Sequence, residues 1–116
     1  MPASLPTATV FGRRLRAARK AAGISQVDLG TALNVDEPSQ ASSRISKYEL
    51  GQREPDQATV KALAEALNVP EAYFYSASDL LAEAILLIAR LPISQQKLVV
   101  EKLKTFVSSL GNKGEK

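Results

Sequence analysis

Ser42, Ser43, Arg44, Ser46 and Lys47 fall within six residues, threaded by Ile45 and Tyr48 three positions apart and followed closely by Gly51. At helical spacing Ile45 and Tyr48 share one stripe, which leaves the hydroxyl and cationic groups pointing elsewhere. Arginine and lysine donate to guanine O6 and N7, and serine pairs with several bases. Gly51 suits the left-handed backbone that stops a helix, a conformation that costs little without a Cβ. The stretch reads as an exposed helix shaped to enter a DNA groove, and the remaining chain as the scaffold that aims it.

Other chemistry is poorly supplied. The 116 residues include no cysteine and no histidine, which removes disulfides, thiolate nucleophiles, imidazole bases and nearly every transition-metal site. Without a Gly-rich phosphate loop or a paired-carboxylate motif, neither an enzyme nor a cofactor is expected. The apolar content of 45% supports one domain with a real core and room for a small appendage. The longest apolar stretch, residues 80–91, is interrupted by Glu83 and Arg90 and is too short to span a bilayer. Residues 1–9 lack the basic start and apolar centre of a secretory signal, so a cytoplasmic location and no membrane partner are expected.

The net charge of +3 is unevenly spread. Arg13, Arg14, Arg16, Arg19 and Lys20 face only Asp28 in the first 35 residues, whereas residues 36–56 set Arg44, Lys47 and Arg53 against Asp36, Glu37, Glu49, Glu54 and Asp56. The first balance suits an anionic partner or plain solvation; the second counts against DNA contact.

Capping and breaking signals place the scaffold. Residues 1–9, with Pro2 and Pro6, read as a disordered arm. A helix over 10–22 is capped by Thr9, carries Phe11, Leu15 and Ala18 on one face and ends at Gly23; a second starts at Ser25, with Asp28 near its positive end. Residues 34–43 read as a loop with Pro38, and a third helix runs from about 41 to 50. Asp56 caps a fourth helix with Val60, Leu63, Ala64 and Leu67 inward and Asn68 at its close. Pro70 suits the first helical position of a short fifth helix over 71–75. After Pro92 breaks an apolar helix over 79–91, Ser94 caps a last one, ended by Gly111 and a disordered tail over 111–116. The fold class is all-α, with five helices over 10–76 and a two-helix hairpin over 79–110. Ile85 to Ile88 are apolar on every side of their helix, so part of the hairpin is expected to be covered by a second chain through Leu81, Ile85, Ile88, Leu103, Phe106 and Leu110.

Gly12-x-x-Leu15-Arg16-x-x-Arg19-x-x-x-Gly23-x-Ser25-Gln26-x-x-Leu29, then Ile45-Ser46-Lys47-Tyr48-Glu49-x-Gly51-x-Arg53-x-Pro55, then Leu63-Ala64-x-x-Leu67-x-Val69, resembles the XRE-type helix-turn-helix family of phage Cro and lambda repressor. The resemblance implies that the helix starting at Gln26 is the first of the motif and that the one around Ile45 enters the major groove. It makes Ser42, Ser43, Arg44, Ser46 and Lys47 candidates to reach base edges. Gln26 matches a phosphate-binding position, and Arg53, Arg13 and Arg14 are further phosphate candidates. Arg19 and Glu49 match a structural ion pair of the family.

One departure stands out: Val35 to Ile45 is about five residues longer than the family's usual spacing. Either Pro38 and Ser39 start the recognition helix a turn early, bringing Gln40 towards adenine, or residues 36–40 stay irregular along the DNA backbone. In both cases Asp36 and Glu37 are expected to face away from phosphate. Together these features imply a homodimeric, sequence-specific transcriptional repressor on a palindromic operator in double-stranded DNA. The alternative is an antitoxin-like or regulatory module whose hairpin captures a partner protein.

Overall fold

The computed structural model describes residues 9–111, so the expected arm over 1–9 and tail over 111–116 lie outside the described residues except for Thr9, which caps the first helix, and Gly111, which ends the last. Six α-helices and one 3-10 helix follow in order: α1 Val10–Ala22, α2 Gln26–Ala32, α3 Pro38–Glu49, α4 Gln57–Leu67, the 3-10 helix Glu71–Tyr75, α5 Asp79–Ala89 and α6 Ile93–Gly111. No strand occurs among the described residues.

Local side chains set most boundaries. Thr9 Oγ1 accepts the Gly12 N–H at 2.9 Å, Ser25 Oγ the Asp28 N–H at 2.9 Å, and Asp56 Oδ1 the Thr59 N–H at 2.8 Å. Each oxygen satisfies an amide that the first helical turn leaves unpaired. Gly23 and Asn68, at φ 72° and 56°, close α1 and α4 in left-handed backbone. Pro70 lies one place earlier than expected: its carbonyl receives the Tyr73 N–H at 3.0 Å, making it the cap of a 3-10 helix that starts at Glu71. Ser94 is likewise inside α6 and does not cap it. The Pro92 carbonyl receives the Gln95 and Gln96 amides, and Gln96 Nε2 donates to Leu91 O at 2.9 Å.

Pro38 does start α3 early, resolving the open choice over residues 36–40 in favour of a longer third helix. The proline needs no amide partner at the first helical position, and Glu37 before it is extended. The Glu37 carboxylate folds back to accept from Ser39 Oγ and from the Gln40 N–H. Those bonds, the Ser39 hydroxyl foremost, hold its pKa below the ordinary 4.5. A lowered carboxyl pKa supports the fold above the ordinary value, and that support is lost as pH falls through the lowered one. Acidification from about pH 6 to below about 4 is therefore expected to move the Gln40 amide proton resonance upfield as its bond to the carboxylate is lost. In Glu37→Gln the same amide should show no such titration, as proton NMR can establish.

Leu15, Leu29, Ile45, Leu63 and Phe74, one from each of α1 to α4 and one from the 3-10 helix, are fully buried together. Phe11 packs on Phe74 with ring centroids 4.9 Å apart. Two glycines bring α3 unusually close to its supports. A Cβ on Gly12 would run into the Glu49 carbonyl oxygen, and one on Gly30 would lie 2.6 Å from Ala41 Cβ. Backbone-to-backbone approach thus seats α3 against α1 at one end and α2 at the other.

The hairpin divides unequally. α5 turns Ala82 into the core and packs Ile85 and Leu86 against it, so Ile85 belongs to the molecule's own interior more than to a free surface. Ile88 is half-buried, while Leu81 stays exposed. α6 buries no residue: Leu103, Phe106 and Leu110 are 50%, 60% and 46% exposed. The radius of gyration of 17.5 Å exceeds the roughly 13 Å of a compact chain of this length, as a projecting helix requires. No helix among the described residues is long and apolar enough to cross a membrane.

Candidate nucleic-acid interface

The stripe that seats α3 consists of Ala41, Ile45, Tyr48 and Glu49, all buried. Helical geometry sends the intervening residues outward, where Ser39, Gln40, Ser43, Arg44 and Lys47 line one shallow cleft with Arg53. Arg53 reaches it because Gly51, at φ 76°, turns the chain back on the end of α3, with the Gln52 and Arg53 amides both directed at Lys47 O. Four of the six base candidates, Gln40, Ser43, Arg44 and Lys47, therefore share a surface with one phosphate candidate. Ser39 was absent from those candidates. Its signal is its place one turn ahead of Ser43, visible only once the helix is known to start at Pro38.

Ser42 and Ser46 are half-buried at the flank of this cleft. Ser42 Oγ donates to Gln26 Oε1 at 3.2 Å, and Gln26 Nε2 donates to Glu49 Oε1 at 3.1 Å. Glu49 in turn meets Arg19, with Nε to Oε2 at 2.6 Å and Nη2 to Oε1 at 3.2 Å, while Arg19 Nη1 donates to Ile24 O at 3.1 Å. Gln26 thus ties α2 to α3 at both Ser42 and Glu49, with one amide hydrogen left for an outside acceptor.

The acidic balance of residues 36–56 loses its force in three dimensions. Glu37 is spent on its cap, Glu49 is buried against Arg19, and Asp56 caps α4. None of the five acidic side chains lines the α3 cleft, whereas all three basic ones do. The cleft lining is cationic although the local sequence is not, with the Glu37 carboxylate at its amino-terminal edge through Ser39 and Gln40.

Arg14 requires a correction. It is buried, not poised for phosphate: Nε donates to Ser76 O at 2.7 Å, and Nη2 to Ala77 O at 3.2 Å and Asp79 Oδ1 at 2.9 Å. Arg13, its neighbour, is exposed on α1 and keeps its place as a phosphate candidate.

Residues 15–74, covering α1 to the 3-10 helix, match the family model described as Helix-turn-helix. The chain belongs to the helix-turn-helix family. Its all-α, lambda-repressor-like fold has α2 and α3 as the two helices of the motif, joined by a turn over 33–37 in which Asn34 is left-handed at φ 69°. The solved structure of the transcriptional regulator BswR is similar to this helix-turn-helix chain. It is 36% identical with a TM-score of 0.77, and the match covers 84% of this chain and 96% of that one. A match of that extent runs past residue 74, so the likeness includes part of the hairpin. No curated protein matches the sequence.

Proposed function

We propose that the protein is a sequence-specific DNA-binding transcriptional regulator, a homodimeric repressor whose residues 10–76 bind a palindromic operator and whose residues 79–110 join the subunits. The observation that carries this reading is the cleft on α3, where Gln40, Ser43, Arg44 and Lys47 present donors of two kinds beside Arg53 with no carboxylate among them. Arginine and lysine suit guanine, and glutamine pairs bidentately with adenine. The family membership and the likeness to the regulator BswR support the same conclusion.

Selection of binding sites from random DNA tests it. A defined consensus is expected, bound well above bulk DNA at physiological salt; no sequence outcompeting bulk DNA would sink the proposal. Lys47→Ala and Arg44→Ala are expected to relax preference at individual base pairs by about 1–3 kcal/mol. Arg53→Ala, as a phosphate contact, is expected to weaken all sequences alike and reduce the salt dependence by about one counterion.

The dimer reading rests on α6. Val99, Leu103, Phe106 and Leu110 follow one another at spacings of four, three and four along a helix with no buried residue. That spacing is the seam along which two helices interlock. Two copies would then present recognition helices about one DNA turn, roughly 34 Å, apart. Light scattering is expected to give twice the chain mass and Phe106→Asp a monomer. The same apolar face could instead receive a helix of another protein; a monomeric wild-type chain would favour that alternative.

A further inference from the structure

The connection between the DNA-binding body and the hairpin is only three residues, Ser76 to Ser78, and each of their carbonyls is engaged. Arg14 takes Ser76 O and Ala77 O, while Ser78 O accepts from Ser76 Oγ at 3.2 Å and from the Ala82 amide at 2.9 Å. The guanidinium also reaches Asp79 Oδ1 at 2.9 Å, in the first turn of α5, and lies 5.9 Å from the Tyr73 ring centroid. Ser78 Oγ then caps α5 by accepting the Leu81 N–H at 3.1 Å. α5 already rests on the body through Ala82, Ile85 and Leu86, and the angle it takes there depends as well on how its first turn is tied to the connection. Here one side chain, anchored in α1 and 9% exposed, grips both the connection and the helix beyond it.

We infer that Arg14 is a positioning residue that sets the angle of the hairpin on the DNA-binding body, and through it the half-site spacing a dimer accepts. The inference rests on the dimer reading above. α1 carries Arg14 and also seats α3 through Gly12, so the guanidinium links the recognition helix to α5 through one rigid element. α6 follows α5 across the turn over 90–92, where the Leu91 N–H donates to Ile88 O at 3.1 Å and Gln96 Nε2 donates to Leu91 O at 2.9 Å. Two copies joined along α6 then hold their recognition helices at a fixed separation and twist.

The test is binding of the full chain to DNA carrying two half-sites at a series of spacings, together with distances within one chain. The absence of cysteine allows spin labels at Asp28→Cys on α2 and Glu83→Cys on α5 without background, measured with labelled chains diluted into unlabelled ones. Wild type is expected to prefer one spacing by at least about tenfold, close to 1.4 kcal/mol, and to give one narrow distance. Arg14→Lys keeps a charge but cannot span the carbonyls of Ser76 and Ala77 and the Asp79 carboxylate with one planar fork. It is expected to flatten the spacing preference to within about threefold and broaden the distance distribution, with single half-site affinity unchanged. Asp79→Ala, at an exposed carboxylate, should fold even if Arg14→Lys does not, and should shift both readouts in the same direction by less. A folded dimeric variant with the wild-type spacing profile and a narrow distance overturns the inference while leaving the dimer intact. A monomeric wild-type chain overturns both.

Discussion

Glu49→Ala is expected to lower the free energy of unfolding by about 3–5 kcal/mol, the range for removing one partner of a buried ion pair. The Glu49 side chain is 2% exposed and that of Arg19 12%. The carboxylate is shared, since Oε1 also receives Gln26, so its loss strands a guanidinium and an amide together. Loss of the carboxylate also unties the last turn of α3 from α1 and α2. Through the size scaling of melting, that cost corresponds to a midpoint lower by at least about 12 °C. Arg19→Met combined with Glu49→Leu is expected to lose much less than Glu49→Ala alone, because neither partner then leaves a charge uncompensated. Denaturant unfolding followed by circular dichroism measures both. A loss below about 1 kcal/mol for Glu49→Ala would place this pair with ordinary surface ion pairs.

Gly30→Ala is expected to cost about 1–3 kcal/mol, the usual range for overpacking, although alanine in a helix interior ordinarily gains roughly 0.5–1 kcal/mol over glycine. The sign is decided by distance. The added Cβ meets Ala41 Cβ at 2.6 Å and Ala41 Cα and O at 2.7 Å, two of those three atoms being backbone. α2 and α3 must therefore separate, and DNA affinity is expected to fall even at temperatures where the variant remains folded. Ala41→Gly added to it removes one of the three contacts, so only part of the stability should return. If thermal melts show Gly30→Ala equal to or above wild type, the helix pair has slack that these distances deny.

What was legible in the sequence follows the range of the interactions. Thr9, Ser25 and Asp56 cap helices through bonds to amides three residues away, and such signals survive without tertiary information. The start of α3 was ambiguous because its cap is a glutamate, an uncommon cap that works here by folding its longer side chain back to Gln40. Arg14 was misplaced because its partners lie more than sixty residues on, at Ser76, Ala77 and Asp79. Its phase held a clue: Phe11, Leu15 and Ala18 all turn towards the core, and Arg14 is three residues from the first and four from the last. Ile85 reads from sequence as set against a second chain, whereas it packs on its own core, since a helix apolar all round does not say which of its faces meets its own domain. The cleft on α3 was legible in its residue types but not in its charge. Only the fold reveals that Glu49 and Asp56 are engaged elsewhere and that Glu37 bonds Ser39 and Gln40 at the edge of the cleft.

The close seating of α3 through Gly12, Gly30 and the buried stripe has a consequence for how the protein can change. Gln40, Ser43 and Lys47 are exposed and make no side-chain hydrogen bond among the described residues, while Ala41, Ile45, Tyr48 and Glu49 hold the helix in place. On the proposed function, reading and holding thus fall on different residues of one helix, so target preference is expected to drift by substitution at 40, 43 and 47 without eroding the scaffold. A library randomised at those three positions should retain the parental melting temperature while dispersing in the DNA it selects, which makes α3 an exchangeable cartridge in an otherwise fixed frame.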